Sequence, residues 1–337
     1  MREIEKNKIS YLYFISSILV ILVHSINNTS VIQKIFSIDS GLSQFAVPLF
    51  FMLSGFLFFR NVYTKDDVVN KLKRRVYSLL IPYLLWNVIY YIIYLVVKPG
   101  VGVSFVNLIE AAINHTYNPS FWFIYQLILL TLVSYIIFII LKKDAHYLIA
   151  ILIISFFIAK NIDIPFINED ALIYYMSGAL FSRLYNNNKI SFIDKKNALI
   201  MIPIAILFFM INRILKAVID TNINYVHIFT LSIVYLRLSV SFLIFYLVDL
   251  FIKYDTKVPE YAKNTFMLYA IHYMIVKGLI IVNKYFMYKY LMPVKYIYPE
   301  TIVFFLSPVI CIIVNFYFVE FMKNKLSKVY KYLSGAR

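Results

Sequence analysis

Long apolar segments, separated by short polar and basic stretches, run along almost the whole chain. The first, residues 9–26 (ISYLYFISSILVILVHSI), carries no formal charge at neutral pH. At about 1.5 Å per residue it forms a helix of roughly 27 Å, close to the hydrocarbon thickness of a bilayer. Further segments of this kind lie at 41–60, 76–97, 120–141, 146–160, 170–185, 197–215, 225–252, 262–283 and 300–322. The pattern predicts an all-α integral membrane protein, a single domain over residues 1–337 with about ten transmembrane helices in one bundle.

The composition agrees with this class of protein. Of the 337 residues, 62% are hydrophobic and 15% are charged, whereas about 25% of the residues of a typical soluble protein are charged. The net charge of +16 is unevenly distributed: with the N-terminus inside, 23 Lys and Arg residues fall in inner segments and 8 in outer loops. This positive-inside pattern places both termini in the cytoplasm, and it predicts that the basic residues contact membrane lipids rather than nucleic acid.

The sequence predicts no metal site and no internal disulfide. Cys311 is the single cysteine, and the five histidines lack the HxH or HxxxH spacing of metal-binding pairs. The first apolar segment resembles a signal peptide, but HSINNTS follows it in place of a small-residue cleavage site. A retained first span is therefore expected.

Ionisable residues within predicted spans are the first candidates for function, because such groups are costly to keep in a membrane. His24 lies roughly 22 Å and His272 roughly 15 Å from the inner edge of their spans, so neighbouring spans would bring both imidazoles to one cavity. For His24 a solvated position at the headgroups is an equally open interpretation. No acidic residue lies mid-span beside Arg237, since Asp249 is twelve residues nearer the cytoplasm. Arg237 is therefore expected to face a polar cavity or to bind an anion.

Three further positions have both a structural and a functional interpretation. Arg74 and Arg75 end the most basic loop and serve either as lipid anchors or as a clamp for the phosphates of a cytoplasmic ligand. Ser54 and the adjacent glycine are more typical of close helix packing than of a substrate contact. Trp122 opens a span at the outer interface, where tryptophan is common in any membrane protein.

Several stretches, taken together and in order, resemble the membrane-bound acyltransferase 3 family. They are the first span ending in His24, VPLFFMLSGFLFF at 47–59, KRRVYSLLIPYLLW at 73–86, FWFIYQL at 121–127, MSGALFSR at 176–183 and NTFMLYAIHYMIV at 264–276. The resemblance covers most of the chain. No single stretch is specific, but the ordered set is.

The resemblance implies a multi-pass enzyme of the bacterial plasma membrane that performs O-acetylation or a related transfer. Such enzymes move an acyl group, usually acetyl, from cytoplasmic acyl-CoA to a hydroxyl of a cell-surface or lipid-linked carbohydrate. The family histidine of the first span corresponds to His24, the basic patch to Arg74 and Arg75, and the C-terminal YxxH histidine to His272. Chemistry and resemblance together make His24 the general base or transient acyl carrier, with His272 as an assisting or orienting group.

Two positions depart from the family pattern. Tyr13 stands where an arginine commonly precedes the first histidine, and Ser78 stands where a second arginine commonly precedes the loop proline. Tyrosine can donate a hydrogen bond but brings no fixed charge, so the electrostatics around the donor must differ. The expected donor-binding set is Arg74, Arg75, Tyr13, Ser54 and Arg237, with Trp122 assigned to the acceptor.

Two other classes of function remain open at this stage. A transporter or flippase for a polyprenyl-linked glycan or a small anion would use Arg237 and Lys277 along its path and the histidines as a proton relay. A membrane partner of a glycan synthase would bind no acyl-CoA. The sequence does not set the acceptor, the acyl chain or the oligomeric state, for which a homodimer is one option.

Overall fold

The computed structural model describes residues 2–25, 42–98, 103–219, 225–251, 257–290 and 298–335, and these residues are almost entirely helical. The helices are α1 (Glu3–His24), α2 (Ala46–Phe59), α3 (Lys65–Arg75), α4 (Ile81–Val97), α5 (Phe105–Asn114), α6 (Trp122–Ile140), α7 (Asp144–Lys160), α8 (Glu169–Asn186), α9 (Lys195–Ile219), α10 (Val226–Phe251), α11 (Thr265–Tyr290), α12 (Tyr298–Lys325) and α13 (Ser327–Leu333). Short 3₁₀ turns at Leu42–Phe45, Pro119–Phe121 and Glu260–Ala262 precede α2, α6 and α11, and a π-helical turn at Val76–Leu80 joins α3 to α4. Within the described ranges no strand forms, and the all-α class is confirmed.

Seven helical segments of the described chain are long and apolar enough to cross a membrane. They are Glu3–His24, Lys65–Val97, Pro119–Ile140, Lys195–Ile219, Val226–Phe251, Thr265–Tyr285 and Val303–Lys325. The other three predicted spans fall on α2, α7 and α8. With 14 and 17 residues, α2 and α7 are about 21 and 26 Å long, shorter than a bilayer core of about 30 Å. The chain is thus a multi-pass membrane protein, while the number of ten spans and the cytoplasmic termini stay predictions.

Large apolar side chains are exposed along α9, which shows which surface meets lipid. Leu199, Ile206, Leu207, Phe209 and Met210 each expose about half or more of their surface. Contiguous apolar exposure of this extent is unusual for a soluble protein but normal for a helix whose outer face contacts acyl chains. Few of the α9 residues are buried, so this helix lies at the periphery of its unit.

The chain forms two compact units, each described separately. The first comprises the described parts of Met1–Ser16, Phe45–Leu72 and Leu129–Val258. Its central contact is between α2 and α8, where glycines allow the two backbones to approach closely. A Cβ atom on Gly55 would lie 2.1 Å from the carbonyl oxygen of Tyr175, and one on Gly178 would lie 1.9 Å from that of Met52. Close packing of α2 against α8 therefore explains the glycine of the Ser54-Gly55 pair.

Buried ion pairs hold the start of α1 inside the first unit. The Lys8 ammonium lies 2.9 Å from the Asp249 carboxylate, with both side chains fully buried, and 3.6 Å from the centre of the Phe245 ring. One helical turn earlier, the Glu5 carboxylate accepts hydrogen bonds from Arg60 at 2.7 Å and from the Tyr185 hydroxyl at 2.8 Å. A one-residue shift of α1 would break both pairs, so they fix the position of this helix along its axis.

The second unit comprises the described parts of Ser17–Gln44, Lys73–Ile128 and Pro259–Arg337. Hydrogen bonds from tyrosines link its helices: Tyr90 donates to the carbonyl of Ala270 at 2.8 Å, and Tyr269 donates to the carbonyl of Ser120. These contacts tie α4 and the turn before α6 to the N-terminal half of α11. That half of α11 carries one of the predicted site histidines.

Candidate active site

The two histidines singled out in the sequence lie in ring contact within the second unit. His24 is the last residue of α1, and His272 lies about two turns into α11. Their ring centres are 5.3 Å apart, with the ring planes inclined by 45°. His272 is fully buried, whereas His24 is only partly buried. The two helices are thus neighbours at this point, and His24 is the member of the pair that keeps exposed surface.

The hydrogen bonding of His272 fixes which of its nitrogens can act as a base. Its Nδ1 lies 2.5 Å from the carbonyl oxygen of Tyr269, one turn earlier on α11. Because a carbonyl oxygen only accepts, Nδ1 carries the hydrogen and Nε2 keeps a lone pair. Nε2 is buried and has no hydrogen-bond partner among the described residues. Leaving a buried polar atom unpaired costs about 1–3 kcal/mol, so this nitrogen is a costly feature to keep without a use.

A polar turn supports the helix at this point. Tyr269 donates its hydroxyl hydrogen to the carbonyl of Ser120. The side-chain oxygen of Asn118 accepts from both the backbone N–H of Ser120, at 3.1 Å, and its hydroxyl, at 2.5 Å. Ser120 lies in the 3₁₀ turn that precedes α6, so this turn, rather than α6 itself, supports α11 through a backbone carbonyl. Tyr269 is the tyrosine of the YxxH motif that ends in His272, and no role of its own was predicted for it from the sequence.

Two more residues of α11 line the His24 side of the pair. The ring of Tyr273 meets His24 edge-on, with centroids 5.5 Å apart and planes at 88°. The ammonium of Lys277 lies 5.3 Å from the centre of the Tyr273 ring. A hydroxyl-bearing ring and a cation thus stand beside the accessible imidazole, a set of groups that can bind a hydroxyl and stabilise negative charge.

The remaining predicted site residues are distributed over both units. Arg74, Arg75 and Trp122 belong to the second unit with the two histidines, while Tyr13, Ser54 and Arg237 belong to the first. Arg74 is exposed and Arg75 is partly buried, immediately before the π-helical turn. Tyr13 stacks on Phe50 with ring centres 5.5 Å apart, and Ser54 is buried within α2. Among the predicted site groups, the rings of His24 and His272 are in direct contact.

The expectation that Arg237 has no acidic partner is wrong. Its Nη1 lies 3.9 Å from a carboxylate oxygen of Asp170, and each side chain is about one-quarter exposed. Asp170 is the first residue of the predicted span 170–185, so it did not count as a mid-span acid in the sequence. It lies in the first turn of α8, where an acidic residue is favoured by the helix dipole, and α8 packs beside α10. A donor-binding role for Arg237 stays a prediction.

No group of three histidine, cysteine, aspartate or glutamate side chains suited to a metal ion occurs among the residues that the structure describes. The model of the acyltransferase 3 family, described as an acyltransferase domain, matches residues 7–319. The match includes both histidines and the two arginines before the π-helical turn, and it ends before α13. No curated protein and no solved structure gives a significant match.

Proposed function

Because the chain belongs to the acyltransferase 3 family, we propose that it transfers an acyl group, in the simplest case acetyl, from acyl-CoA to a hydroxyl of a carbohydrate. The acceptor is a cell-surface or lipid-linked glycan, and the enzyme acts in a bacterial plasma membrane. The observation that carries the proposal is the contact between a partly exposed imidazole, His24, and a buried one, His272, that keeps a lone pair. No metal is needed for this chemistry.

The reaction needs a base for the hydroxyl proton. His24 takes that proton as the hydroxyl oxygen attacks the thioester carbonyl carbon. The carbon–sulfur bond then breaks, and the thiolate of coenzyme A leaves and receives the proton back from the imidazolium. His272 acts through His24. When the His24 ring rotates, Nε2 of His272 accepts a hydrogen bond from one N–H of His24. This bond orients the His24 ring and increases the basicity of the second nitrogen of His24.

Negative charge develops on the thioester oxygen during the attack. Lys277 and the Tyr273 hydroxyl supply a cation and a hydrogen-bond donor on the His24 side of the pair. Arg74 and Arg75 hold the phosphates of coenzyme A, for which the guanidinium fork is suited. Apolar surroundings exclude the water that would hydrolyse the thioester.

The test is turnover of radiolabelled acetyl-CoA by the protein in lipid nanodiscs. His24→Ala is expected to lose about 10²–10⁴-fold in kcat, the typical cost of a missing base. Arg74→Ala/Arg75→Ala is expected to raise KM for acetyl-CoA while kcat changes less. His227→Ala, the same substitution at a histidine of the first unit, is the matched control and should behave as wild type. Full activity of His24→Ala would exclude this assignment.

The two histidines can be separated by a double-mutant comparison. His272→Phe keeps a ring of similar volume but removes both nitrogens. If His272 acts through His24, this change lowers kcat in the wild type and has no further effect in His24→Ala. Multiplicative losses in the double variant would instead show that each histidine acts on the substrate separately.

A further inference from the structure

The last described residues of the chain lie beyond the family match and pack closely against other parts of the second unit. Residues 327–335, hereafter the C-terminal segment, comprise α13 and the two residues after it. Tyr330, Leu333 and Ser334 are buried to more than nine-tenths. Such burial shows that the C-terminal segment is packed into the unit, although it lies beyond residue 319, where the family match ends.

One end of the C-terminal segment contacts the turn that follows the two arginines. The indole N–H of Trp86 donates to the carbonyl of Leu333 at 3.1 Å, in a buried position. Gly335 has a φ of +73°, and a Cβ atom added there would lie 2.5 Å from the carbonyl oxygen of Ser78. Both the backbone conformation and the space exclude a side chain at residue 335. The backbone of the segment therefore lies directly against the π-helical turn.

The π-helical turn has a clear physical cause. Pro82 has no N–H, and in an α-helix its ring would clash with the carbonyl four residues earlier, which is that of Ser78. The turn widens, and the N–H of Ile81 bonds to Val76, five residues back, in place of the usual four. The extra residue rotates Arg74 and Arg75 relative to α4. π-Helical turns of this kind are frequent at functional sites, where they redirect side chains.

The middle of the C-terminal segment contacts the histidine helix. The hydroxyl of Tyr330 donates to the side-chain oxygen of Asn264 at 3.0 Å. Asn264 immediately precedes α11, and its carbonyl accepts the N–H of Leu268 in the first turn of that helix. Residues 327–335 thus bond at one end to the α4 region and at the middle to the start of the helix that carries His272.

We propose that the C-terminal segment is a positioning element of the donor site: it holds the π-helical turn in the register that presents Arg74 and Arg75 to the phosphates of acyl-CoA. The proposal rests on the proposed function for the identity of the ligand. The contact itself does not depend on that function. Because Gly335 and Trp86 act on the turn rather than on the ligand, they affect donor binding through the arginines.

The test compares two glycine substitutions. Gly335→Ala forces the C-terminal segment away from Ser78, whereas Gly278→Ala is the matched control, because a Cβ atom there meets nothing within 4 Å. Gly335→Ala is expected to raise KM for acetyl-CoA by about tenfold or more, the equivalent of a lost charge-assisted hydrogen bond. The acceptor KM and kcat stay near wild type, and amide exchange at residues 76–81 becomes faster. Gly278→Ala changes none of these quantities.

Trp86→Phe provides a second variant, since it removes the hydrogen bond to Leu333 and keeps most of the ring. Trp86→Phe is likewise expected to raise KM for acetyl-CoA and to make amide exchange at residues 76–81 faster. An unchanged KM for acetyl-CoA in both variants would overturn the positioning role, and so would a uniform loss of kcat and melting temperature without a selective change in KM. If the wild type binds no acetyl-CoA, the proposed function fails. Amide exchange at residues 76–81 then decides separately whether the segment holds the turn.

Discussion

Replacing Lys8 by methionine tests the buried ion pair at the start of α1. The Lys8 ammonium lies 2.9 Å from the Asp249 carboxylate and donates to the carbonyl of Phe192 at 2.7 Å. It also lies 3.6 Å from the centre of the Phe245 ring. Methionine is similar in length and apolar, so the substitution removes the charge with little change in volume. The Asp249 carboxylate is then left buried without its cation.

The expected cost can be worked out from these contacts. Removing one partner of a buried ion pair typically costs about 3–5 kcal/mol, because the remaining charge is uncompensated. The lost cation–π contact with Phe245 adds up to about 2 kcal/mol. Asp249 keeps the hydrogen bond from the backbone N–H of Asp194, at 2.9 Å, which offsets part of the loss. A net destabilisation of about 3–5 kcal/mol is expected.

The assay is unfolding of the purified protein in mixed micelles, carried out as a double-mutant cycle with Asp249→Asn. The asparagine keeps an oxygen to accept the Asp194 N–H but removes the charge. Lys8→Met/Asp249→Asn should therefore recover most of the stability that Lys8→Met loses, with a coupling of at least about 2 kcal/mol. A Lys8→Met variant as stable as wild type, or single losses that simply add in the double variant, would refute the reasoning.

Two further predictions concern stability in the first unit. Gly178→Ala should destabilise the protein by at least about 1–3 kcal/mol in the same unfolding assay, because its Cβ would overlap a backbone carbonyl of α2. Gly278→Ala is the control and should be neutral or slightly stabilising. Equal effects of the two substitutions would contradict the close approach of α2 and α8. Hydrogen bonds from Lys189 and Arg183 lower the pKa of Asp144 from its usual 3.8. Its stabilising contribution is thus fully present above that value and is lost as the pH falls through the lower, folded pKa. The test is the difference in stability between wild type and Asp144→Asn, measured by thermal unfolding from pH 7 to pH 2. This difference should be constant down to about pH 5 and should shrink below pH 3.8. A difference that stays constant at all pH values would show that the ion pairs of Asp144 contribute nothing to stability.

Most of the helices could be predicted from hydropathy, but their ends could not. The predicted span 41–60 is helical as α2 only from Ala46, after a 3₁₀ turn, because an apolar run does not show where the α-helical hydrogen bonds begin. The predicted span 76–97 begins in the π-helical turn, and the helical segment extends back through the polar α3 to Lys65. Pro82 was the visible signal for that irregularity, since a proline within a helix must disturb the preceding turn.

The candidate site was partly predictable because helix geometry converts sequence position into depth. Counting residues from the inner edge put His24 roughly 22 Å and His272 roughly 15 Å into the membrane, both within the hydrocarbon region, and their rings are in contact. The same counting failed for Arg237, since its partner Asp170 belongs to a different helix whose relative depth no sequence pattern fixes. The free lone pair of His272 could not be predicted either, because it depends on the bond between Nδ1 and Tyr269 and so on the orientation of one ring.

Glycine positions are the one feature of the sequence, apart from hydropathy, that indicated where distant segments of the chain come into contact. The chain has only 7 glycines in 337 residues. Of the four in the described ranges, three would place a Cβ atom 2.5 Å or less from a backbone carbonyl oxygen of another segment. Glycine is costly within a helix, so in a chain that seldom uses it a glycine is a candidate site for the close approach of another backbone, although Gly278 shows that not every glycine is one. Gly335 near the C-terminus was thus a reason, visible in the sequence, to expect that this end of the chain packs against a partner segment, although only the structure identifies that partner as the turn containing Ser78.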